Sequence, residues 1–105
     1  MALKSLDKMT DFEKNKELMI LDGYEERYLE KNPQNVEDYF SDYNLMMPLS
    51  GKENINLNVL EDEKGKYFSA TVSTMQDAEY SNICVTDSED MLRAIGDCIL
   101  KKQRI

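Results

Sequence analysis

The chain is predicted to fold as an α+β domain: two N-terminal helices, a three-stranded antiparallel meander and a C-terminal helix packed on the sheet. Three observations predict it. Apolar residues recur at helical spacing near both ends, they alternate strictly after residue 54, and the change of period falls just after Pro48. With 105 residues, 41% of them hydrophobic, the chain can bury one modest core and not two. A single domain over 1–105 is expected, with 1–9 flexible.

Thr10-Asp11-Phe12-Glu13 has the form of a capping box, a hydroxyl for an orphan N–H and a Glu three residues on that reaches back. The helix it opens is predicted to run to about Leu21, with Phe12, Lys16 (by its stem) and Met19 on one face. Asp22-Gly23 supplies the stop, since glycine adopts the left-handed conformation without strain. The polar stretch 22–42 is broken at Asn32-Pro33, while Tyr24, Tyr28 and Leu29 bring it back onto the core. A second helix is predicted over 36–47, where Val36, Tyr39, Phe40, Tyr43 and Met47 form a stripe. Asn35 or Ser41 would cap it, and Pro48 would end or kink it.

Ile55, Leu57 and Val59 alternate with Asn54, Asn56 and Asn58, the signature of a half-buried strand. A hairpin turn follows at 61–65, then a second strand with Phe68, Ala70 and Val72 inward. A short third strand over 82–86 would turn Ile83 and Val85 to the core. The opposite sheet face would then carry Asn56, Asn58, Ser69, Thr71, Ser73, Cys84 and Thr86, polar but uncharged. Asp87, Ser88, Glu89 and Asp90 open the last helix with acids at its positive end, and Lys101, Lys102 and Arg104 close it. Met91, Ile95, Cys98 and Ile99 are its expected buried stripe.

Composition narrows the function more than any motif does. The chain has no His, and 21 acids against 13 bases give a net charge of −8. Histidine is the usual general base near neutral pH and the commonest metal ligand, so no catalytic residue, metal or cofactor is expected. Direct binding to a phosphate backbone, which needs clustered Lys and Arg, is disfavoured. No apolar run reaches the roughly 20 residues of a membrane span, and no signal-peptide pattern or disulfide framework is present, so a cytoplasmic protein with reduced thiols is expected.

Three segments carry a family resemblance. Residues 15–24, Asn-Lys-Glu-Leu-Met-Ile-Leu-Asp-Gly-Tyr, resemble the N-x-x-L-I-A-x-F-M-G-Y helix end of small uncharacterised phage and mobile-element proteins of the alpha-beta-alpha sandwich type. Residues 39–49 are similar to their Y-x-x-S/D-W-x-x-L-M-P-V segment, with Tyr43 in place of the signature Trp. Residues 89–95 are similar to their closing helix, and the whole resemblance spans roughly 15–102. It implies helices on both faces of a small sheet, a phage or prophage source, a host-cell location and no catalytic residue to carry over. The polar sheet face read from the residues fits a two-layer arrangement better.

Individual chemistries find little support. Cys84 and Cys98 lack a CxxC partner and an activating His, and read as small core residues. The acids at 61–63 lack the alternating ligands of a calcium loop, and Gly51-Lys52 lacks the glycine loop and the Ser/Thr of a phosphate loop. The charge distribution says more. Residues 22–42 hold seven acids against Arg27 and Lys31, and 76–92 hold five with no base. Sharing one face, they would string carboxylates at spacings resembling duplex phosphates, with tyrosines interleaved.

The expectation is a non-enzymatic phage or mobile-element protein that binds a host protein. It would fill a basic nucleic-acid-binding groove as a DNA mimic, in the manner of an anti-CRISPR or other anti-defence inhibitor. The residues expected to bind the partner are Asp77, Glu79, Tyr80, Asp87, Glu89 and Asp90, then Glu25, Glu26, Glu37 and Asp38. Two alternatives belong to other classes: a nucleotide-binding or sponge protein using Ser69, Thr71 and Ser73, and a self-associating accessory protein whose methionines would form a homodimer seam.

Overall fold

The computed structural model describes residues 4–76 and 79–104; within 73–76 and 79–88 it describes the backbone alone. The first helix, α1 (Asp11–Leu21), opens on the expected capping box. Thr10 Oγ1 accepts the Glu13 N–H, and Glu13 Oε1 accepts the Thr10 N–H, both at 3.2 Å. Its buried face is Asn15, Leu18 and Met19, whereas Phe12 is 48% exposed, so the inward face lies round from the expected one. The lead-in, read from the sequence as flexible, holds a 3-10 turn at Leu6–Lys8, and Leu6 packs against the core.

Three helices, rather than the expected two, precede the sheet. The additional one is α2 (Glu26–Lys31), anchored by the buried Leu29 and followed by a 3-10 turn at Pro33–Asn35. The helix predicted over 36–47 is displaced: α3 runs Tyr43–Lys52, with Pro48 inside it and Asp42 as its cap in place of Asn35 or Ser41. Side-chain competition explains the shift. Asn15 Oδ1 accepts the Tyr39 N–H at 2.8 Å, and Asp38 accepts the Phe40 N–H and the Ser41 hydroxyl, so 38–41 is held as a turn. Tyr39 and Phe40 still reach the core, but from irregular chain, and Tyr43 of the predicted stripe is 54% exposed.

The sheet has the order β1-β2-β3 and is antiparallel throughout. β1 (Ile55–Asp62) pairs with β2 (Gly65–Gln76) from Ile55↔Val72 to Asp62↔Gly65. The meander is not uniform. Beyond Val72, β1 is absent and β2 continues with β3 (Glu79–Ser88) as a two-stranded ribbon. The register slips between Val72 and Ser73, passing from Val72↔Cys84 to Ser73↔Asn82. The slip leaves position 83 out of the pairing, and the register beside it departs from the expected alternation. Positions 84 and 86 pair with core-facing Val72 and Ala70, and position 85 pairs with Thr71. Val59, expected inward, is 60% exposed.

The last helix, α4 (Met91–Lys102), is capped by Asp90, whose carboxylate accepts the Leu92 and Arg93 N–H groups. It is buried on two sides. Ala94 and Cys98 meet Ala70 and Val72 of the sheet, while Ile95, Ile99 and Leu100 join Leu18, Met19, Leu29, Tyr39, Phe40, Met46 and Leu49. The arrangement is therefore three layers, with α4 between the sheet and the N-terminal helices, and not two. Among the described residues, Asn56 and Asn58 of the opposite sheet face are exposed.

Candidate protein-docking surface

The C-terminus of α1 builds one wall of a cleft. Gly23 takes φ +112°, its N–H donates to Ile20 O at 3.1 Å, and the Tyr24 N–H donates to Met19 O at 3.0 Å. This pair of bonds is a Schellman motif, which sets the residue after glycine against the last turn. It delivers Tyr24 beside Met19. The facing wall comes from α2 and the turn after it. Asn32 Nδ2 donates to Tyr28 O at 2.9 Å, and Asn35 Nδ2 donates to the Tyr28 hydroxyl at 2.9 Å, fixing both ends of that residue. The Glu37 N–H donates to the Met19 sulfur at 3.3 Å and brings the chain back across the floor.

The result is an open cleft of about 430 Å³ lined by Met19, Tyr24, Tyr28, Gln34, Asn35, Val36 and Glu37. Tyr24 and Tyr28 are 43% and 45% exposed. No cation contributes to the lining. Glu25 and Glu26 start the adjoining α2 and are exposed, as is Glu37, and no ion pair among the described residues involves these three carboxylates. Three of the acids expected to bind a partner are thus unneutralised beside two tyrosines.

The other expected site residues fare differently. Asp38 is committed to its turn; its bond from Ser41 Oγ, 2.6 Å long, holds its carboxyl below the usual aspartate range despite some desolvation. Asp90 is committed to the cap of α4, and Glu89 beside it is exposed. Asp77 lies outside the described residues, as do the side chains of Glu79, Tyr80 and Asp87.

Arg93, just after the second acidic segment, sits where α4 meets α1. Its guanidinium grips Asp11 at 2.9 and 3.3 Å and lies 3.9 Å from the centre of the Phe40 ring. Donating these hydrogen bonds to Asp11 raises the Arg93 pKa above its ordinary value, with Asp97 and Asp90 adding their fields. The Arg93–Asp11 ion pair ties α4 to α1. It was invisible in the sequence, because Arg93 and Asp11 are 82 residues apart. The cleft was half visible, through Gly23 and Asn32-Pro33.

Among the described residues no group of three or more Cys, Asp or Glu side chains converges as metal ligands would, and no helix is long and apolar enough to cross a membrane. Comparison of the chain with family models, with curated proteins and with solved structures finds no match.

Proposed function

We propose that this chain is a non-enzymatic binding protein, of the phage or mobile-element kind, that docks an acidic, tyrosine-bearing surface into a basic nucleic-acid-binding groove of a host protein. The observation that carries the reading is the cleft, where unneutralised Glu25, Glu26 and Glu37 adjoin half-exposed Tyr24 and Tyr28 on a preorganised frame. Tyrosines give an interface buried area at low entropic cost, and surplus carboxylates give fast, salt-sensitive association with a cationic groove. Inhibition of a nucleic-acid-guided defence complex is one task such docking performs.

The docking surface proposed is narrower than the two acidic segments. Asp38 and Asp90 support the fold, so their replacement is expected to lower stability before it touches binding. The test is capture of a nucleic-acid-binding protein by the tagged chain at low and at high salt, followed by competition with duplex DNA. Capture is expected at low salt only, to be displaced by DNA, and to be lost in the double reversal Glu25→Lys/Glu26→Lys. The hairpin-tip reversal Glu61→Lys/Glu63→Lys should leave it intact. Equal loss in both variants would reduce the effect to net charge and overturn the assignment of this surface.

A further inference from the structure

The cleft has a lining that selects one side chain over others, and we infer that it receives an arginine of the partner protein. The inference rests on the docking function proposed above and names what that surface recognises. Four features of the lining carry it. Tyr24 and Tyr28 line the space and are each nearly half exposed, and a cation is attracted to the face of such a ring. The Glu37 carboxylate is exposed at the lining and is in none of the ion pairs seen among the described residues. Gln34 and Asn35 contribute amides, and Asn35 spends its Nδ2 on the Tyr28 hydroxyl, which leaves its carbonyl oxygen as an acceptor. No Lys or Arg lines the space, so an anionic or phosphate ligand would meet carboxylate and ring faces with nothing to neutralise it.

Arginine fits this lining better than lysine. A guanidinium is planar, stacks on an aromatic face and spreads its donors in a fork that spans a carboxylate and a neighbouring amide oxygen. An ammonium is a compact, strongly hydrated point charge and gains less from the rings. The volume, about 430 Å³, holds a guanidinium together with flanking backbone. The Asn35–Tyr28 bond and the Schellman turn at Gly23 hold both tyrosines before the partner arrives, which lowers the entropic cost of binding.

The experiment is an NMR titration of the full chain with three capped tripeptides, Gly-Arg-Gly, Gly-Lys-Gly and Gly-citrulline-Gly. The arginine peptide is expected to shift the Tyr24, Tyr28 and Glu37 signals saturably, and to bind about fivefold more tightly than the lysine peptide. Citrulline, which keeps the shape and loses the charge, should give no saturable shift. Glu37→Gln should weaken the arginine response, and Tyr28→Phe, which removes only the hydroxyl anchored by Asn35, should weaken it less. Equal response to arginine and lysine, or no saturable change at either tyrosine, overturns the inference. If the tyrosines stay silent while Glu25→Lys/Glu26→Lys still abolishes capture, the cleft falls and the docking reading stands. Arginine-specific shifts with capture indifferent to those reversals would keep the cleft and sink the docking reading.

Discussion

Tyr39 is wholly buried, yet it stands on irregular chain with its hydroxyl donating to Asp22 Oδ2 at 2.7 Å and its N–H donating to Asn15 Oδ1 at 2.8 Å. Two polar side chains thus fix one aromatic residue where neither helix nor strand would. Burial, and then the hydrogen bond to Asp22, push the tyrosine hydroxyl well above its ordinary pKa. The unfolded chain releases this proton near pH 10 while the folded chain keeps it, so the contribution is complete below about pH 10 and is lost as pH rises above it. Tyr39→Phe is expected to cost about 2 kcal/mol at neutral pH, the worth of a hydrogen bond to a charged group. Urea denaturation checks the neutral value, and repeating it at alkaline pH should show the wild-type advantage shrinking. A variant as stable as wild type at neutral pH would mean that Asp22 finds water as good a partner.

At the level of elements, α1 and the start of α4 were legible, whereas α2 and the place of α3 were not. Thr10, Gly23 and Asp90 act on backbone groups within a few residues, so their spacing alone locates the ends of α1 and the start of α4. The stripe from Val36 to Met47 misled because Asn15 and Asp38 divert the backbone at Tyr39 and Phe40, and a stripe carries no trace of a partner 24 residues away. The third strand misled because its register, which pairs position 85 with Thr71 and position 84 with Val72, is set by β2 and leaves no mark in its own composition. The cleft was partly legible: Glu37 and its tyrosines were singled out, but the Asn35 bond to the Tyr28 hydroxyl was not. Gly96 shows a further element-scale constraint. A Cβ there would overlap the Phe40 ring and come within 2.8 Å of the Met46 methyl, so α4 approaches the N-terminal layer too closely for any side chain. Gly96→Ala is expected to cost about 1–3 kcal/mol by overpacking. In a Phe40→Leu background the same substitution should cost less, and an undiminished cost would place the strain elsewhere.

Across the whole molecule, long-range polar ties fasten the layers at their ends. Arg104 meets both Glu17 oxygens at 2.8 Å and donates to Leu100 O and Lys4 O, joining the end of α4 to α1 and to the lead-in. Lys102 reaches Glu53 at the end of α3, and Lys52 reaches Leu21 O at the end of α1. Arg104→Ala should destabilise the fold by about 2 kcal/mol, since it strands a largely buried carboxylate. It should also speed hydrogen exchange at the Lys8 and Met9 amides, which bond to Ser5 O and Leu6 O. Unchanged exchange there would mean that Leu6 packing alone secures the lead-in. The placing of α4 between the other two layers has a consequence during synthesis. The N-terminal helices and the sheet share their main apolar partner, and the ribosome makes that partner after both. A nascent chain that ends before residue 91 holds two half-surfaces with nothing between them. Closure therefore waits for α4 to clear the exit tunnel, and until then the exposed halves are what chaperones and proteases meet.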